Sequence, residues 1–200
     1  MKNYFAQLFD PGWASEPGAW IFLIWTFWAL SWFVAALWSR QTAARASFAQ
    51  EAPYRIITLI GAALLLGFVQ FHAWPYGWIL SRPALWLSAA LVALGLAFAW
   101  WARIHLGTLW SGTITRKQDH RIVDTGPYGL VRHPIYTGLL LAGFATAIAR
   151  GRWEALIGAV LFALGCWIKA RTEEKFLSET LGADYALYRQ RVHMLVPYLL

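Results

Sequence analysis

Five stretches of this chain are too apolar to be left in water, and their lengths leave few architectures open. Ala19 to Trp38 is apolar apart from Thr26 and Ser31, and it matches the ~20 residues a helix needs to cross ~30 Å of hydrocarbon. Trp20 and Trp38 stand at its ends as an aromatic belt would. Ile56 to Trp74 and Ala84 to Trp101 read as the second and third spans. Pro134 to Ile148 and Trp153 to Ile168 are shorter and are joined by Ala-Arg-Gly-Arg, which predicts a tight helical hairpin. The expected fold is therefore all-α and integral to a membrane, with five transmembrane helices, the last two a short hairpin. It is a single domain over 1–200, with three N-terminal spans in 1–102 and the polar, motif-bearing half in 103–200.

Composition agrees with this reading. Charged residues make up only 14% of the chain, against roughly 25% in a soluble domain, so there is too little polar surface for water on all sides. The net charge of +7 does not point to nucleic acid. No basic block interleaves with aromatics; the cations sit between apolar runs, where lipid headgroups and topology account for them. With the N-terminus outside, thirteen of the seventeen Lys and Arg residues fall in inner segments, and only Lys2, Arg82, Arg150 and Arg152 fall outside. That is the positive-inside pattern, and it puts both polar segments on the cytoplasmic side, as in a prokaryotic inner membrane. Met1 to Pro17 has one lysine, two acids and no apolar core, so the first span is expected to remain as an anchor rather than be cleaved. Cys166 is alone in an apolar run and reads as a small buried hydrophobe.

The first polar segment centres on Gly126-Pro-Tyr-Gly-Leu-Val-Arg-His-Pro-Ile-Tyr-Thr-Gly138. Ionisable side chains beside lipid are costly unless they bind something, so the segment is a candidate site. Pro134 suits the first turn of a helix. Its free N–H groups and dipole would favour an anion at this boundary. His133 and Tyr136 share one face, and the Gly126-Pro127 turn presents Tyr128 beside them. Taken singly, each of these residues also fits a plain interfacial loop with a snorkelling Arg132. The second segment, Lys169-Ala-Arg-Thr-Glu-Glu-Lys175, sets Lys169 and Glu173 four apart. Ion pairs at that spacing on a surface helix contribute only about 0.2–0.5 kcal/mol each, so spacing alone does not make a site. Phe176, Leu177 and Leu181 continue one helical face, and Gly182 suits a helix stop. The five histidines show no metal-ligand spacing, and no Walker, dinucleotide or nucleophile-elbow pattern occurs.

Together, His120-Arg-Ile-Val123, Thr125-Gly-Pro-Tyr128, Arg132-His-Pro-Ile-Tyr-Thr-Gly138, Glu173-Glu174 and Tyr185, Tyr188 and Val196-Pro197 resemble the isoprenylcysteine carboxyl methyltransferase family, whose wider group includes phospholipid N-methyltransferases. The resemblance covers 103–200. It implies S-adenosyl-L-methionine as cofactor, at positions matching His120, Arg121, Ile122, Val123, Tyr128, Arg132, His133, Pro134, Ile135, Tyr136, Glu173 and Glu174. Glu173 would hold the cofactor's ammonium, and Arg132 or His133 with the helix start would face its carboxylate. Lys169, Arg171 and Glu173 are the candidate catalytic residues. The family's substrate-orienting arginine falls on Lys169 by counting and on Arg171 by residue type. The implied acceptor is a lipid or prenylated small molecule, most simply a carboxylate of an isoprenylcysteine-like compound. A phospholipid amine, an NADPH-dependent sterol-reductase-like activity and a non-enzymatic membrane scaffold are the alternatives.

Overall fold

A computed structural model describes residues 15–38, 42–45, 48–71, 77–113, 115–117 and 122–197. Helix α1 (Pro17–Ala36) opens with Pro17 in its first turn after an extended Glu16. It is apolar all round, and only Pro17 and Ile21 are buried along it. A short strand β1 (Thr42–Arg45) precedes α2 (Phe48–Leu66), and α3 (Arg82–Leu106) leads into a single 3-10 turn at Gly107–Leu109. Strand β2 (Thr115–Lys117) comes next, then the one-turn α4 (Pro127–Leu130), α5 (Pro134–Arg150) and α6 (Trp153–Arg191). Helices thus carry almost all the regular structure. The β1–β2 pair, antiparallel with Thr42 opposite Lys117, is an addition to the expected all-α fold.

Among the described residues, three helices are long and apolar enough to cross a bilayer: α1, α3 with its 3-10 turn, and α6; α5 is a shorter apolar helix. The second apolar run is offset from its helix. α2 begins ahead of it, at Phe48, and ends at Leu66, short of Trp74, because Gly67 leaves helical space with φ 86°. Arg150 closes that end, donating to the carbonyls of Leu64 and Leu65 at 2.8 and 2.7 Å. A cation on orphan C-terminal carbonyls is a recurrent helix stop. The hairpin turn forms as expected, with Gly151 left-handed between α5 and α6. Its second limb is not short, however: α6 runs through Lys169 and breaks only at Gly182 (φ 56°), where a further helical stretch follows.

Two glycine crossings hold the bundle. Where α3 meets α5, a Cβ on Gly95 would stand 2.8 Å from the Ala142 nitrogen, and one on Gly138 2.8 Å from that of Ala99. Where α2 meets α6, a Cβ on Gly61 would lie 2.8 Å from the Gly158 oxygen. Only hydrogen fits at these points, so the backbones touch, the small-residue packing that replaces the hydrophobic effect between helices in lipid. Arg103, 0% exposed, ties α1 to α3. It donates to the carbonyls of Ala35, Trp38 and Gly107 at 2.6, 2.8 and 2.6 Å and lies over the rings of Trp38 and Trp110.

Candidate functional site

The motif-bearing loop is built by the residues that follow α6. Gly126, at φ 57°, turns the chain into Pro127, and α4 carries Tyr128 inward. The next residues are extended, and Val131 bridges to His193 in parallel. The Arg132 amide donates to the His193 carbonyl at 2.8 Å and the His133 amide to that of Met194 at 3.0 Å. The Thr137 hydroxyl reaches the Leu195 carbonyl at 2.6 Å, and the Tyr188 hydroxyl that of Tyr128 at 2.7 Å. His133 is the N-cap of α5 and Pro134 opens its first turn.

Onto this frame α6 lays its Lys169–Glu173 face. The Tyr136 hydroxyl donates to both Glu173 oxygens, at 2.8 and 2.9 Å. His133 Nδ1 stands 3.5 Å from Glu173 Oε2, and its ring stacks on Tyr136 with centroids 5.5 Å apart. Lys169 Nζ is 3.9 Å from Glu173 Oε1, donates to the Gly112 carbonyl at 3.2 Å and lies over the rings of Tyr54 and Tyr136. Burial disfavours a charge on His133, but hydrogen bonds and attraction from Glu173 and Glu174 outweigh it, and its pKa is raised above the ordinary value of 6.5.

These groups face a cavity of about 610 Å3, within the roughly 300–1,000 Å3 typical of small-molecule sites. Of the residues singled out in the sequence, Ile122, Val123, Tyr128, Arg132, His133, Pro134, Ile135, Tyr136, Lys169 and Glu173 line it. His120 and Arg121 lie outside the described residues. Two others are not brought to the cavity. Arg171 is exposed, with its guanidinium over the Trp167 ring, because two residues along a helix turn a side chain roughly 200° from Lys169. Glu174 is buried behind the wall. Arg132, expected to face a ligand carboxylate, has its guanidinium engaged elsewhere: Nε donates to Glu174 at 2.6 Å, and Nη1 to the carbonyls of Val192 and of Arg189 (3.3 Å).

The rest of the lining was not foreseen as a site. Trp28, Trp32 and Phe33 of α1 and Trp110 after α3 form an apolar wall facing Phe176, Leu177 and Leu181 of α6. Trp28 and Trp32 stack at 4.8 Å, and Trp110 meets Trp32 edge-on at 5.6 Å. Among the described residues, no three His, Cys, Asp or Glu side chains gather as a metal site would require.

Fold and cavity define a helical membrane protein with an ionisable pocket at the ends of its helices. The chain belongs to the phospholipid methyltransferase family, which matches residues 83–184, half of its length. Among individual relatives, the protein-S-isoprenylcysteine O-methyltransferase of Schizosaccharomyces pombe is 33% identical over 41% of this chain and 35% of its own. The methanethiol S-methyltransferase of a Pseudomonas species (strain GM41(2012)) is 45% identical over 35% of this chain and 26% of its own. The cobalt-zinc-cadmium resistance protein CzcN of Cupriavidus metallidurans is 28% identical over 72% of this chain and 61% of its own. The resemblance seen in the motifs therefore holds, while the chain spans between a quarter and about three-fifths of these relatives' lengths.

Proposed function

We propose that this chain is an integral-membrane methyltransferase that uses S-adenosyl-L-methionine and methylates a lipid or amphipathic acceptor. One observation carries the reading: Tyr136 and Glu173, 37 positions apart, meet at 2.8 Å on the wall of the cavity. The donor set fits the cofactor. Glu173 offers a carboxylate to its ammonium, and Ile122, Val123 and Tyr128 offer apolar and aromatic surface to its nucleoside. When bound, the cofactor supplies a methyl group already activated on a sulfonium, so the residues here have mainly to align and to exclude water.

Tyr136 fixes the Glu173 carboxylate by donating to both oxygens. Lys169 is the residue that orients the acceptor, as a point charge rather than a bidentate fork. It suits an anionic acceptor, a carboxylate such as an isoprenylcysteine's, which needs no general base. The apolar wall from α1 to α6 takes the acceptor's hydrophobic body. A phospholipid amine is the second reading, and would need a base; among the described lining residues His133 is the histidine placed to provide it. The relative named for methanethiol adds a thiol to the acceptors worth testing.

The whole of 1–200 acts as one unit, five helices crossing the membrane with the site on the cytoplasmic side. Two features support that placement. β1 and β2 belong to the two segments assigned inside by charge, and they pair. Glu173 lies twenty residues along α6 from Trp153, roughly 30 Å, the thickness of the hydrocarbon core.

Titrating the detergent-purified chain with S-adenosylhomocysteine and with NADPH tests the reading. Micromolar binding of the first alone is expected; binding of NADPH alone would replace this function with a reductase. Incubation with labelled methyl donor and lipid extract then identifies the acceptor.

A further inference from the structure

Behind the cavity wall lies a second ionic cluster that no step of the proposed reaction uses. Glu174 is 3% exposed, and a single step along α6 from Glu173 turns it away from the cavity. Its Oε1 accepts a hydrogen bond from Arg132 Nε at 2.6 Å and stands 2.6 Å from Nη2, so one oxygen faces two nitrogens of the guanidinium. The same oxygen stands 3.4 Å from His133 Nε2, while Oε2 faces Arg189 Nε at 3.6 Å. The imidazole is therefore held between two carboxylates. Nδ1 looks to Glu173 in the cavity, and Nε2 looks to Glu174 behind it.

We propose that Glu174 is a positioning residue. From outside the ligand space it orients His133 between two carboxylates, and His133 in turn holds the Glu173 carboxylate in its cavity-facing position. Glu174 contacts no ligand in this arrangement. Three observations carry the inference. All three guanidinium nitrogens of Arg132 are engaged within the protein, Nε and Nη2 on Glu174 and Nη1 on the carbonyls of Arg189 and Val192. His133, 8% exposed, has a carboxylate oxygen at ion-pair distance from each ring nitrogen, 3.5 Å at Nδ1 and 3.4 Å at Nε2. Tyr136 stacks on one face of His133 and binds Glu173 itself, so a displaced imidazole would displace both groups that steer that carboxylate. The charged and titratable groups around His133 are Glu173 and Glu174 from α6, Arg132 from its own loop and Tyr136 from α5; Arg189 and Lys169 stand beyond the two carboxylates. The raised pKa of His133 agrees with two anions winning over burial.

The inference rests on Glu173 being the cavity carboxylate, and its first test needs no ligand. The full chain in detergent, labelled with 15N-histidine, is titrated by NMR, with the His133 signal assigned by its loss in His133→Asn. Wild-type His133 is expected to titrate above the ordinary histidine value. Glu174→Gln is expected to lower that midpoint by about one pH unit or more, the scale of one nearby opposite charge. A folded Glu174→Gln protein with an unchanged midpoint overturns the proposal. If Glu174→Gln does not fold, Arg189→Gln serves instead: removing a cation that competes for Glu174 raises the His133 midpoint, and an unchanged or lowered midpoint overturns the proposal. The second measurement is S-adenosylhomocysteine affinity, which Glu174→Gln should lower less than Glu173→Gln; an equal or larger loss would make Glu174 a direct ligand. Failure of the wild-type chain to bind S-adenosylhomocysteine would instead remove the proposed function, leaving the histidine titration to stand or fall by itself.

Discussion

Lys169 brings a single point of positive charge to the cavity, resting on the rings of Tyr54 and Tyr136. If it orients the acceptor, Lys169→Gln should slow methyl transfer at least tenfold while changing S-adenosylhomocysteine affinity little; steady-state rates beside calorimetric titration separate the two. Tyr136→Phe removes both hydrogen bonds to Glu173. At about 1.5–3 kcal/mol for a hydrogen bond to a charged group, the expected loss is roughly ten- to a hundredfold in cofactor affinity by the same titration. Arg171→Ala should leave that affinity unchanged, since its guanidinium lies over Trp167 outside the lining. His133 gives the fold itself a pH dependence. Its folded pKa exceeds the unfolded value of about 6.5, so the folded state holds the proton more tightly. That stabilisation is complete below pH 6.5 and fades as pH rises through the folded value. Thermal unfolding of the ligand-free protein should therefore shift to lower temperature from about pH 6.5 upward, and His133→Asn should flatten the slope.

The elements differ in how openly they announce themselves. The loop at 126–138 was legible because its chemistry is local: Pro, Gly and ionisable groups crowd a few positions beside an apolar run, and Lys169 and Glu173 share a face by helical spacing alone. The wall from α1 was not. When every side of a helix is apolar, nothing marks the side that carries Trp28 and Trp32 to a cavity. The break of α6 at Gly182 was legible, but its continuity was not: the change from apolar to charged residues near Ile168 marks where the environment changes, and helix propensity simply continues through it. α2 shows the reverse offset, its polar first turns preceding the apolar run. The β1–β2 pair joins two loops far apart in sequence, so neither strand carried its own signal. One prediction belongs here. Gly95→Ala would force α3 from the Gly138 backbone of α5, and overpacking of this kind costs about 1–3 kcal/mol, measurable as a lower thermal midpoint in detergent.

At the scale of the whole molecule, the orientation proposed from the positive charges is open to direct test. Single cysteines at Asp124 and at Ile79, both exposed, introduced after replacing the buried Cys166 by Ala, should react with an impermeant thiol reagent from opposite sides of sealed vesicles. Asp124→Cys should label from the cytoplasmic side; labelling of both from one side would remove the five-span topology. A last consequence concerns biosynthesis. Because His193, Met194 and Leu195 grip the loop ahead of α5, a nascent chain whose helices have all entered the bilayer still has a half-built pocket. The cavity is completed only once that segment has been synthesised and has docked against the 131–137 loop.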